Sequence, residues 1–275
     1  LAVAGVTHND VTLDFDGSAL TGSSDDLGIT LDDATDMNFV LTKDASTTNT
    51  LETVSLNSIS EANTVEHLSS TGVGATKLEV TGDQSLTIAA ALDSEIVTVD
   101  GSAATGAISL TAAGGNTAVS ITTGSGADNV TSGTAADTFV TGAGNDTIDA
   151  AAGNDTITSG DGADSITAAA GIDSIVAGAG ADIIDAGAGN DIVDGGAGDD
   201  TITSGAGNDS VDGGADNDTF KFGVNELDSD DTVKGGTGTD IIEYSANETV
   251  VDADFTNVTN TEVITGSSDV DVDAT

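Results

Sequence analysis

The chain has 275 residues and carries 48 acidic side chains against four lysines and no arginine, a formal net charge of −44. That excess of carboxylate excludes ordinary nucleic-acid binding, which needs cations for phosphates, and disfavours an anionic membrane surface; it favours soluble cations. Cysteine, proline and tryptophan are absent, so no disulfide or thiolate metal site exists, and no stretch reaches the length of about 18 apolar residues that a membrane-spanning segment needs.

The chain begins at Leu1 with neither methionine nor a signal peptide, and is expected to be cut from something longer. From residue 1 to about 75 the pattern is irregular. Val11-Thr-Leu13-Asp-Phe15, Ile29-Thr-Leu31, Asn38-Phe39-Val40-Leu41 and Val54-Ser-Leu56 alternate apolar and polar as half-buried strands do, whereas Glu61 to Ser70 reads as a strand or a turn of helix. Serine, threonine, asparagine, glycine and aspartate separate these candidates, and no amphipathic helix is predicted anywhere. Further on, Leu78 and Val80, Leu86 and Ile88, Val97 and Val99, Ile108 and Leu110, and Val119 and Ile121 form short apolar pairs at looser spacing.

A strict period then takes over. Eleven nine-residue units run without a gap from Thr123 to Lys221, with an aspartate at every sixth place and an apolar residue at every eighth. The aspartates are Asp128, Asp137, Asp146, Asp155, Asp164, Asp173, Asp182, Asp191, Asp200, Asp209 and Asp218. Their apolar partners are Val130, Phe139, Ile148, Ile157, Ile166, Ile175, Ile184, Val193, Ile202, Val211 and Phe220. Place four is glycine in nine units, which suits a turn with backbone at positive φ. Departures fall at Ala135 and Asp216 in place four and at Ala151 and Ala169 in place two. After Lys221 the phase breaks over Phe222 to Lys234, and Gly235 to Glu243 restores one unit with Asp240 at its sixth place. Residues 244–275 return to serine- and threonine-rich strand patterns such as Thr249-Val-Val251 and Glu262-Val-Ile264.

The nonamer resembles the glycine-rich G-G-x-G-x-D-x-U-x repeat of repeats-in-toxin (RTX) proteins, where U is apolar. The resemblance implies an all-β fold, a right-handed parallel β-roll or β-solenoid with calcium-loaded turns, flanked by calcium-free β-rich segments. It implies that six residues of each unit turn, that three form a strand, and that calcium lies between stacked turns. By that resemblance one ion takes the carbonyls of Gly124 and Gly126 and the carboxylate of Asp128 with the carbonyls of Thr141 and Ala143 and the carboxylate of Asp146. The same rule names the turn carbonyls of Gly142, Gly144, Gly160, Gly162, Gly178, Gly180, Gly187, Gly189, Gly196 and Gly198. Eleven units give nine such pairs, hence about nine ions, held by the hard oxygen ligands calcium prefers. Turns holding Ala135 or Asp216 are expected to bind weakly or stay empty.

The domains expected are a β-rich cap or module over residues 1–75, a calcium-free solenoid continuation over 76–122, the calcium-binding roll over 123–243 with an irregular insertion at 222–234, and a further β-rich segment from 244 to 275. The alternative is a calcium-free solenoid with solvated turns. Against it, each nonamer must order nine residues around one buried aliphatic side chain, while its stacked carboxylates repel; a divalent cation reverses the repulsion and adds binding free energy to folding.

Groups for catalysis are scarce. His8 and His67 lie in no metal or nucleophile motif, and the H-E-x-x-H, G-x-S-x-G and G-x-x-x-x-G-K-[ST] signatures are missing, so no enzyme is expected. Asp199 and the place-nine aspartates Asp149, Asp185, Asp194 and Asp212 read as a solvated face, and Asp228, Asp230 and Asp231 as a candidate for one extra cation. The function expected is structural: a calcium-dependent segment of a secreted, extracellular bacterial cell-surface protein, resembling lattice-forming surface-layer (S-layer) components, exported unfolded by type I secretion and self-associating into an array. The alternatives are the spacer of a large adhesin, or the RTX region of a secreted hydrolase or toxin.

Overall fold

The computed structural model describes residues 2–4, 10–15, 25–43, 50–69, 73–112, 115–223, 226–244, 249–251, 257–266 and 271–273. They divide into two compact units, Leu1–Ala143 and Gly144–Thr275. Every described strand pairing is parallel, and the described residues contain no helix. Each unit is a β-solenoid in which the chain alternates between two sheets, so neighbours within a sheet are next-but-one strands in sequence.

In the first unit one sheet runs through Asp26–Asp32, Thr53–Ile59, Lys77–Gly82, Thr98–Ala104, Ser120–Thr122 and Thr138–Ala143. The other runs through Asp10–Phe15, Met37–Lys43, Asn63–Ser69, Leu86–Ile88, Ile108–Thr111 and Asn129–Thr131. The residues before 75 thus belong to the same two-sheet winding as those after it, and Glu61 to Ser70 contributes a strand rather than a helical turn. The early coils hold a broad core of Ile29, Leu31, Met37, Phe39, Leu56 and Leu68, all buried. Turn residues add to it: Leu51, Val73, Leu92 and Ile96 are buried as well. Ile96 fills the core beside Val99, and Val97 is only half-buried. The strand there starts at Thr98, one residue later than the alternation predicts, and the Val97 carbonyl accepts from the amide of Ser120 in the next coil.

In the second unit one sheet has longer strands, Thr156–Asp161, Ser174–Ala179, Ile192–Ala197, Ser210–Ala215 and Thr232–Thr237. The other has short ones, Thr147–Asp149, Ser165–Thr167, Ile183–Asp185, Thr201–Thr203, Thr219–Phe222 and Ile241–Tyr244. Register advances one coil at a time, pairing Ser174 with Ile192, Ile175 with Val193 and Gly178 with Gly196. The period-two alternation sends place eight inward: Ile148, Ile157, Ile166, Ile175, Ile184, Val193, Ile202, Val211 and Phe220 are all at most 2 % exposed. Places seven and nine face outward, which leaves Ile183 and Ile192 about three-fifths exposed, at 60 % and 59 %. Small side chains at place one, Ala150, Ala168, Ala177 and Ala186, line the rest of the interior. The core is therefore one aliphatic side chain wide per turn.

The break at 222–234 does not interrupt this winding. Ser210 pairs with Thr232 and Val211 with Val233, and Val233 is buried as its counterparts are. The extra residues are taken up in the turn, and the ladder resumes at Asp231.

Candidate metal centre

Two glycine places bend most turns. Place two lies at φ +90° to +114° in Gly142, Gly160, Gly178, Gly187, Gly196, Gly205 and Gly214, and place four at φ +124° to +158° in Gly144, Gly153, Gly162, Gly180, Gly189, Gly198 and Gly207, with Gly171 outside that set. The stacking is as tight as the φ values demand. A Cβ on Gly178 would lie 2.1 Å from the carbonyl oxygen of Gly160, and one on Gly180 would lie 1.8 Å from that of Gly162. Where place two is alanine the backbone moves into the ordinary left-handed well, φ 63° at Ala151 and 73° at Ala169. Asp216 takes the same conformation at place four (φ 79°), whereas Ala135, Gly124 and Gly126 are absent from the left-handed set. The double-bend turn therefore starts with the unit at Thr141.

These turns place the aspartates indoors. Asp164, Asp173, Asp182, Asp191, Asp200, Asp209, Asp218 and Asp240 are at most 3 % exposed. Each accepts a backbone hydrogen bond from the ladder residue one coil earlier. The amide of Asp155 donates to Oδ1 of Asp173, that of Asp164 to Asp182 and that of Asp173 to Asp191, each at 2.8 Å. The series continues through Asp200 (2.8 Å), Asp209 (2.9 Å), Asp218 (3.0 Å) and Asp240 (2.9 Å). In the first unit Asp128 accepts from the amide of Ile108 (2.6 Å) and Asp137 from that of Val119 (2.8 Å), residues of coils without the aspartate. Asp128, Gly124, Gly126, Thr141 and Ala143 lie in this first unit, and Asp146 in the second.

The second carboxylate oxygen defines the chemistry. Oδ2 of Asp164, Asp173, Asp182, Asp191, Asp200, Asp218 and Asp240 is buried and has no hydrogen-bond partner. Buried polar atoms are nearly always paired, so a column of orphaned oxygens on charged groups calls for a cation. Burial holds the carboxyls of Asp182, Asp191 and Asp218 up to about 6 and that of Asp200 up to about 7, with neighbouring ladder carboxylates adding to the rise. Asp173 is raised for the same reason. No three acidic or histidine side chains converge among the described residues, so a metal here draws on backbone carbonyls to complete its shell. Turn carbonyls keep capacity for this. The place-three carbonyl of Ala179 accepts from Gly162 N and the place-two carbonyl of Ala169 from Ala188 N, and one lone pair of each remains. Hard oxygen donors from two carboxylates and several carbonyls make a set suited to calcium.

The sequence did not single out place five, yet it forms its own ladder. Oδ1 of Asn145 accepts from Ala163 N (3.1 Å), Asn154 from Ile172 N (3.0 Å), Asn190 from Asn208 N (3.0 Å) and Asn217 from Thr239 N (2.9 Å). Asp199 is exposed, as its solvated reading implies, but also belongs to this row, accepting from Asn217 N at 2.9 Å. Asp149, Asp185 and Asp194 are exposed, and Lys234 pairs with Asp212 at 2.5 Å. His67 sits half-buried in the strand Asn63–Ser69, and His8 lies outside the described residues.

Parallel coils, doubly bent glycine turns and inward carboxylates together define a calcium-binding β-roll. Residues 122–157, 131–166, 158–193, 167–202, 187–220 and 227–246 match the family model of the RTX calcium-binding nonapeptide repeat (4 copies). The segment they cover is built of RTX repeats. A search of curated proteins returned no match to the chain.

Proposed function

We propose that this chain is a calcium-dependent structural segment of a secreted bacterial surface protein of the lattice-forming, surface-layer kind. The observation that carries the calcium reading is the set of buried, unpartnered Oδ2 atoms at Asp164, Asp173, Asp182, Asp191, Asp200, Asp218 and Asp240. In the second unit the ligand set follows the repeat: carbonyls of Gly160 and Gly162 and the carboxylate of Asp164, with carbonyls of Ala177 and Ala179 and the carboxylate of Asp182. Gly178, Gly180, Gly187, Gly189, Gly196 and Gly198 serve the neighbouring turns in the same way, for about nine ions along the roll. Bound there, calcium supplies the positive charge that the thin apolar core cannot offset. Outside a cell, where the ion is abundant, the roll folds; at low calcium the chain, with its charge of −44, stays extended and exportable.

Self-association into an array is supported by Ile172, Val176 and Ile192, which stand 57 %, 42 % and 59 % exposed on or beside the longer-stranded sheet of an otherwise acidic surface. Calcium that neutralises that surface would let such faces approach. The test is a calcium titration of the chelated protein, followed by circular dichroism and light scattering. Conversion from a coil to a β spectrum is expected, then a rise in scattering as arrays form. A spectrum that calcium leaves unchanged removes the calcium reading, and folding without any assembly removes the lattice reading.

A further inference from the structure

The rung formed by Asp209 and Asp231 differs from those that end on Asp164, Asp173, Asp182, Asp191, Asp200, Asp218 and Asp240, where the second carboxylate oxygen has no partner. Oδ1 of Asp231 accepts from the amide of Asp209 at 2.8 Å, as the ladder requires. Its Oδ2, however, accepts from the amide of Asp228, also at 2.8 Å, and its own amide donates to the carbonyl of Asp228 at 3.2 Å. Asp231 is 2 % exposed, so both oxygens are used indoors and by backbone. The described residues just before it also hold no metal-cradling bend. Residues 226 to 231 contain no glycine and none of the positive-φ positions, and Leu227 is tucked into the core at 4 % exposure.

The early coils close a rung in a similar way. Asn63, 1 % exposed, accepts from the amide of Ala34 through Oδ1 at 2.7 Å. Its Nδ2 donates to Ser58 Oγ and to the Glu61 carbonyl, each at 2.8 Å. There the side chain occupies the ladder position, and protein atoms satisfy its second end. The contrasting case is Asp240, whose Oδ1 accepts from Asp218 N at 2.9 Å while Oδ2 is left unpartnered, as at Asp182.

From these contrasts, and resting on the calcium reading above, we infer that the expanded turn replaces a cation with the Asp228 amide. The Asp209–Asp231 rung is closed without metal, while the Asp218–Asp240 rung takes calcium even though its turn holds Asp216 at place four, because the Asp216 carbonyl stacks on Gly238 as that of Gly162 does on Gly180. The insertion thus ends the calcium column on one side of the roll and leaves a rung there that survives chelation. The family match over 227–246 gives no hint of this, because Asp231-Thr-Val233 keeps the repeat's aspartate-to-apolar spacing.

The test counts ions. Asp231→Asn, Asp173→Asn and Asp240→Asn proteins, loaded with calcium and gel-filtered, are assayed by atomic emission. D231N is expected to keep the wild-type number of ions, and D173N and D240N to lose at least one each. Loss of an ion from D231N comparable to that from D173N overturns the inference. If D173N and D240N also keep the full number, the calcium reading itself fails. Should D231N fold poorly, the wild-type protein crystallised with a lanthanide decides the matter: anomalous peaks are expected beside Asp173 and Asp240, and a peak beside Asp231 refutes the proposal.

Discussion

Gly178→Ala and Gly180→Ala make a paired test of how the turns are built. Both lie in one turn of the second unit, and both would set a Cβ against a carbonyl of the coil before, 2.1 Å and 1.8 Å away. Their backbone torsions separate them. Gly178 sits at φ +114°, and the equivalent place in other turns already holds alanine, at φ 63° and 73°. G178A can therefore relax into a left-handed well, at a cost of about 1–2 kcal/mol. Gly180 sits at φ +144°, in a region that only glycine populates, and the one described non-glycine residue of positive φ at its place, Asp216, lies far away at 79°. G180A has to swing the turn by tens of degrees and push aside the Gly162 carbonyl, which the calcium reading uses as a ligand; at least about 3 kcal/mol is expected. Thermal melts in saturating calcium, at roughly 2–4 °C per kcal/mol for a domain of this size, together with the calcium midpoint by circular dichroism, read both effects. G180A should be the more damaging by both measures. A G178A protein as impaired as G180A, or a G180A protein that binds calcium normally, would refute the reasoning.

The pH response of the calcium-free chain carries a definite sign. Asp182, Asp191 and Asp218 titrate near 6 and Asp200 near 7 in the folded state against about 3.8 unfolded, so the folded state holds more protons in between. Any stability of the calcium-free fold is therefore greatest below about pH 4 and falls as pH rises towards 7. Circular dichroism in chelator is expected to show more β structure at pH 4.5 than at 7.5, and the opposite trend would contradict the burial of these groups. Calcium affinity runs the other way, weakening below about pH 6–7 as the ligands take up protons; calorimetric titrations across that range measure it. In the core, Ile175→Ala removes a side chain that is 1 % exposed and should cost about 2–4 kcal/mol in the calcium-loaded form. Ile192→Ala, 59 % exposed, should cost less than about 0.5 kcal/mol in the same melt. Equal losses would mean that the strand faces are assigned the wrong way round.

Much of the roll was legible because two residue types at fixed places encode both the turn and the interior. Every place-eight residue from Val130 to Phe220 is buried, and every place-six aspartate with it. What escaped notice had lost the period while keeping the geometry. Asp231 was read with Asp228 and Asp230 as an acidic triad for one extra cation, and the length of its turn hid its place in the ladder, although Asp231-Thr-Val233 carries the same spacing as Asp209-Ser-Val211. Glu262 extends the series with one more methylene, accepting from Asp240 N at 2.8 Å. The coils before residue 75 gave no readable topology because their turns vary in length. Asp26 pairs with Thr53, Thr53 with Lys77 and Lys77 with Thr98, so no single interval recurs. Such coils keep their place through broad apolar packing, with Phe39, Leu56 and Leu68 inside, and packing of that kind leaves no periodic trace. The place-five asparagines were visible as Asn-Asp pairs, but a side chain bonding to an amide one coil away leaves no signature in linear spacing.

The stretch between the strands Thr219–Phe222 and Thr232–Thr237 shows how forgiving this architecture is at its bends. It is longer than its neighbours, yet Gly214 still faces Gly236 and Ala215 still faces Thr237 across the sheet. Length added at a bend is absorbed locally, whereas one residue added within a strand would turn its oily side outward. The bends are therefore where such a scaffold can acquire new segments over evolutionary time, or accept a grafted epitope, without retuning the rest of the stack.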